Sequence, residues 1–219
     1  MDHKTGEDRI ERAGTLYESF IFEGDAGALD VAQQELDAVR ADLAVARGRI
    51  LHGRFLAQGT ADPAELALFE EALGLYRELA DRRGEAESLF WIGVYHQVVR
   101  EDSAAAVPAL ERSHELAARA GDKQTMSYAL RHLGIAEHIA GRLDAARERL
   151  EESVRLRREI GHLPGVAANL VGLAYIAAGQ DRPADARAII EEARTIAEST
   201  GAYGTLRSIE EAHAAIEKS

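Results

Sequence analysis

The groups in this 219-residue chain with which chemistry could be done are eight histidines, six tyrosines, one tryptophan and a surplus of carboxylates. His52, His96, His132 and His138 fall in segments of helical periodicity, and neutral imidazole is a ligand for Zn, Cu, Ni or Fe. Their spacing does not assemble a site. His132 and His138 are six residues apart, whereas a helix stacks side chains three or four apart on one face. His114-Glu115 continues as Leu116-Ala117-Ala118, which breaks the HExxH pattern of zinc hydrolases. With no Cys there is neither a thiolate nucleophile nor a disulfide. A Gly-rich phosphate loop after a strand and a G-x-S-x-G elbow are both missing, and the many Glu residues lie on exposed helix faces rather than as a converging pair. Imidazole and phenol groups could still serve acid–base work. No catalytic residue, metal or cofactor is assigned, and catalysis is not expected.

The elements that would position these groups follow from composition and periodicity. Four Pro, 46% hydrophobic and 5% aromatic residues, and abundant Ala, Leu, Arg and Glu describe an all-helical chain. The formal charge of -12 argues against a nucleic-acid partner, which requires clustered Lys and Arg. Arg155, Arg157 and Arg158, the densest basic stretch, stand beside Glu151, Glu152 and Glu159 and read as a solvated helix face. The polar start Met1 to Asp8 and the lack of any apolar run near the roughly 18 residues of a membrane span predict a cytoplasmic protein.

The chain also repeats itself. Leu110-Glu111-Arg112-Ser113, Leu150-Glu151-Glu152-Ser153 and Ile190-Glu191-Glu192-Ala193 are spaced by 40 residues, and Gly121, Gly161 and Gly201 keep the same interval. Such a period means stacked helix hairpins that cannot bury their apolar faces singly. Asp62-Pro63, Pro164 and Pro183 open helices, while Gly121, Gly141, Gly161, Gly179 and Gly201 close them. Helices are expected at about 63–80, 84–99, 103–119, 123–140, 142–160, 163–178, 183–199 and 202–217. Pro108 falls within the third of these, which predicts a late or irregular start there, because the connection after Val99 is one residue longer than its counterpart after Ile139. Residues 1–60 form an N-terminal unit, and residues 61–219 form the repeats with a capping helix.

In the N-terminal unit, Leu29, Leu36, Leu43 and Ile50 recur every seven residues, with Ala32, Val39, Ala46 and Gly53 between them, and predict one helix from about 27 to 57. A homodimer through this long helix is one reading of the heptads. The preferred reading packs it against the segment at about 8–23 and against the first repeats, because small residues fill the alternate seam.

The clearest repeat, with Leu130, Leu133, Gly134, Gly141, Asp144, Ala146 and Leu150, resembles the tetratricopeptide repeat in the variant near 40 residues known from bacterial regulators and adaptors. Leu170, Leu173, Ala174, Ala186 and Ile190 continue the pattern, and Leu89, Ile92, Gly93 and Ala106 precede it. Glu137 and Ala177 depart from it where an aromatic is common, and Glu210, Glu211 and His213 make the last helix a polar cap. The resemblance implies an α-solenoid, a right-handed superhelix of stacked antiparallel hairpins whose concave face is lined by the first helix of each hairpin. That groove would receive Phe90, Trp91, Val94 and Gln97, then Tyr128, Arg131, His132, Ile135 and His138, then Val171 and Tyr175. Family members that hold acidic chaperone C-termini use Lys, Arg and Asn on these helices. Here Trp91, His132 and Gly172 occupy comparable places and only Arg131 is firmly positive, so that function is disfavoured. The leading expectation is a module binding a partner protein or peptide in the groove, anchored by Trp91, Tyr128, Arg131 and His132. A sensor or carrier enclosing a small molecule in the same groove is the alternative, and an enzyme or metal-binding protein ranks behind both.

Overall fold

A computed structural model describes residues 5–217; Met1 to Lys4 of the polar start and residues 218–219 of the C-terminal unit lie outside that range. All regular structure among the described residues is helical. The elements are α1 (Gly6–Glu23), α2 (Ala28–Gln58), α3 (Ala64–Glu78), α4 (Arg82–Val94), α5 (Ser103–Ala120), α6 (Lys123–Ile139), α7 (Leu143–Glu159), α8 (Leu163–Gly179), α9 (Pro183–Thr200) and α10 (Tyr203–Ile216). Each helix packs on the next, most closely within the hairpins α4–α5, α6–α7 and α8–α9. The result is an all-α solenoid of stacked hairpins.

Small residues at fixed positions set how close the two helices of a hairpin lie. A Cβ on Gly93 would stand 2.6 Å from Cγ of Leu110, and one on Gly134 would stand 3.0 Å from Cγ of Leu150 and 3.3 Å from the Ala146 carbonyl. The serines of the 40-residue interval tie the hairpins at the same level. Ser113 Oγ donates to the Ala86 carbonyl at 2.7 Å, and Ser153 Oγ donates to the Ser127 carbonyl at 2.5 Å.

The extra residue before α5 is absorbed differently from the expectation. α5 begins at Ser103, capped by Asp102, and runs through Pro108 as helix. The insertion sits in a π-helical turn, Tyr95–Val99, that continues α4, which is how a helix accepts one residue too many. The expected late start of α5 is thus corrected: Pro108 lies in its second turn, and the irregularity lies upstream. Two other boundaries also shift: the helix expected from about 84 begins at Arg82, and the one expected to end at 178 runs to Gly179. Gly84 lies inside α4, where a Cβ would be 2.3 Å from the Tyr76 ring. Gly179 ends α8 as a helical residue, and Asp181 takes the left-handed conformation at φ 57°.

α2 packs on both α1 and α3, turning Ala32, Ala38, Ala41, Ala44 and Val45 inward. Leu29, Leu36, Leu43 and Ile50 remain exposed.

Candidate functional site

An aromatic chain crosses the stack from α3 to α8. Phe69 and Trp91 stack at 5.6 Å, Trp91 meets Phe90 edge-on at 5.0 Å, Phe90 stacks on Tyr128 at 5.5 Å, and Tyr128 meets His162 edge-on at 5.9 Å. His52 of α2 adds an edge contact to Trp91 at 5.7 Å, and the Arg49 guanidinium lies 5.5 Å from the Trp91 ring centre. Trp91 and Tyr128 are partly buried, whereas Phe90 and Val94 belong to the core with Ala106, Leu110 and Leu133. Phe90, though buried, still lines a small hollow beside Trp91, and Val94 backs it.

Gln97, also buried, holds His132. Its Nε2 donates to the His132 carbonyl at 2.9 Å, which leaves Oε1 to face His132 Nδ1 at 2.6 Å, so Nδ1 carries the proton of a neutral imidazole. Burial first, and then the charges of Arg131 and Arg157, push the His132 imidazole down to about 3. His132 therefore stays neutral near pH 7.

Arg131 reaches from α6 to α8, where Nη1 donates to the Ala168 carbonyl at 2.8 Å and to Asn169 Oδ1 at 2.9 Å. Asn169 is fully buried and its Nδ2 donates to Ser153 Oγ at 2.7 Å. A line of hydrogen bonds thus runs from the repeated serine to the guanidinium. Arg157, buried on α7, donates through Nη1 to the Gly165 carbonyl at 2.6 Å and lies over the Tyr128 ring at 5.0 Å, while its Nε has no partner. Burial, followed by the charge of Arg131, lowers Arg157 to about 10. Burial also lowers Arg131. Neither guanidinium forms an ion pair among the described residues, so a chain of net charge -12 holds a locally positive inner face. The reading of Arg155 to Arg158 as a solvated face is corrected at its middle: Arg155 and Arg158 are exposed and paired with Glu152, Glu159 and Glu192, but Arg157 is only 3% exposed.

Arg131 opens onto a cavity of about 390 Å³ between α6, α8 and α10, lined by Ile135, His138, Val171 and Tyr175, with Thr205, Ser208 and Glu211 across it. Two further hollows flank the aromatic chain. One of about 230 Å³ borders Arg49, Glu87 and Trp91, and one of about 600 Å³ lies over the α5–α6 and α7–α8 turns beside Lys123, Tyr128 and His162. Residues 125–199 match the family model described as a tetratricopeptide repeat. These residues are a tetratricopeptide-repeat segment of the chain. Repeats of this family generally mediate protein interactions. Comparison with curated proteins returns no match. No helix among the described residues is long and apolar enough to cross a membrane.

The eleven residues expected in the groove divide into two groups. Arg131, Ile135, His138, Val171 and Tyr175 meet at the cavity, with His138 exposed at its rim. Phe90, Trp91, Tyr128 and His132 form the aromatic chain and its branch, His132 meeting Phe90 at 5.5 Å, backed by Val94 and Gln97. Sequence reasoning missed Arg157, Asn169 and the α10 wall. Asn169 carried a usable signal, because an Asn within the otherwise apolar run of α8 must find partners once buried.

Proposed function

We propose that this chain is an interaction module that binds a partner protein or peptide on the inner face of α6, α8 and α10, seating an anionic group of the partner on Arg131. The observation that carries the reading is a partly buried guanidinium with no ion-pair partner among the described residues, lining a cavity that has an apolar and aromatic wall on α6 and α8 and a polar one, including Glu211, on α10. Two neutral oxygens orient Arg131 without neutralising it, which is the state a planar anion meets best. Ile135, Val171 and Tyr175 supply the apolar wall for whatever side chain accompanies the anion.

The test is a random peptide array probed with wild-type protein and with Arg131→Met, whose helicity is checked by circular dichroism. A charge-assisted hydrogen bond contributes about 1.5–3 kcal/mol, so acidic peptides held by the wild type should lose roughly ten- to a hundredfold in affinity. Equal retention of the same peptides by Arg131→Met refutes the reading. A small organic anion is the second reading, supported by a volume within the range of small-molecule sites. Native mass spectrometry separates the two: a bound species of a few hundred daltons, present on the wild type and missing from Arg131→Met, supports the small molecule.

A further inference from the structure

The N-terminal hairpin leaves apolar surface uncovered on two neighbouring helices. On α2, Leu29, Leu36, Leu43 and Ile50 are 40%, 42%, 48% and 57% exposed. On α1, which buries Ala13 alone, Ile10, Tyr17 and Ile21 are 54%, 58% and 49% exposed. Each set follows helical spacing and so forms a stripe. Arg9 and Arg12 of α1 pair with Glu35 of α2 and so mark the facing sides of the two helices; helical spacing from these residues puts both stripes on the same side of the antiparallel pair. The opposite end of the stack is finished differently: α10 buries Ile209, Ala212 and Ile216 and exposes Glu210 and Glu211.

We infer that this two-stripe face is a self-association surface, and that its occupant is the same face of a second copy, the two hairpins closing into a four-helix bundle about a two-fold axis. Area is the first argument. Seven large side chains about half exposed offer roughly 700 Å² per copy, close to the ~800 Å² per partner of a standard stable interface. Charge is the second. Glu7 and Glu18 stand three residues before Ile10 and Ile21 of the α1 stripe, Glu11 directly follows Ile10, and all three are exposed and form no ion pair among the described residues. Arg40, Arg47 and Arg54 each stand four residues after a member of the α2 stripe. Arg40 pairs with Glu71, while Arg47 and Arg54 form no ion pair among the described residues. A two-fold axis running along the hairpin lays α1 of one copy over α2 of the other and sets the acidic row against the arginine row. An axis across the hairpin would oppose like with like. The seven-residue interval is the third argument, since it keeps one seam of α2 toward a partner helix along its length.

Sedimentation equilibrium of the full chain tests the proposal. A dimer mass at about 10 µM is expected, with Leu36→Glu/Leu43→Glu weakening self-association ~100-fold or more at unchanged helicity, as loss of two central apolar contacts implies. Leu36→Gln/Leu43→Gln gives the same reading should the charged pair fail to fold. A wild-type chain that is monomeric at 100 µM, or a leucine variant that dimerises as the wild type does, overturns it. Arg131→Met should stay dimeric, so this surface and the proposed peptide site fail or stand separately.

Discussion

Acidification offers a quantitative probe of the inner face through His132. The imidazole is ordinarily half protonated near 6.5 and in the native protein only at about 3. Between those values the unfolded chain binds a proton that the native chain refuses, so stability falls as pH drops below 6.5. The loss amounts to about 2 kcal/mol on going from pH 7 to pH 5. Glu65, fully buried beside His52, acts with the opposite sign: burial raises its carboxyl, so the native state retains a proton above the ordinary carboxylate range and stability there declines as pH rises. Comparison with His132→Gln removes this background, because both proteins carry Glu65. Urea unfolding followed by circular dichroism at pH 7, 6 and 5 is the assay, and the stability of wild type minus variant should fall by about 2 kcal/mol. A difference that is flat with pH would refute the burial of His132 against Phe90 and within the field of Arg131 and Arg157.

Two further perturbations test the packing that supports the site. Gly93→Ala should cost about 1–3 kcal/mol by forcing Leu110 aside, whereas Gly74→Ala, in α3 with nothing near its added Cβ, should gain roughly 0.5–1 kcal/mol from helix propensity; thermal unfolding of the pair reports the contrast. Ser153→Ala leaves the Ser127 carbonyl without its serine donor and the buried Asn169 Nδ2 unpaired, and should destabilise by about 1–3 kcal/mol while weakening any ligand held by Arg131, read by unfolding and binding together.

The helix order and most boundaries were legible because each hairpin carries its own instructions: an Asp or Pro that starts a helix, a Gly that ends it, and a pair such as Gly134 and Ala146 that sets the contact between them. The π-helical turn was not legible as such. A one-residue insertion near Val99 is visible in the sequence, but whether a helix start or a helix interior absorbs it depends on the hairpin partner, and here the contact of Gly93 with Leu110 holds α5 in place. The candidate site was read in part for a similar reason. First-helix positions could be assigned to an inner face, yet burial within that face separates Phe90 and Val94 from Arg131 and Tyr175, and burial is a property of neighbouring hairpins.

Local spacing by itself determined that this chain is a helical repeat protein, because capping, turn conformation and small-residue contacts act within about 40 residues. Only the tertiary structure decided which charged groups lose their water. Arg157 lies within a run of exposed arginines and is buried because Tyr128 and the start of α8 close over it. The heptad leucines of α2 stay outside the core of the single chain because its alanine seam takes the packing with α1 and α3. Desolvation arises from helices distant in sequence, and no spacing within one helix encodes it.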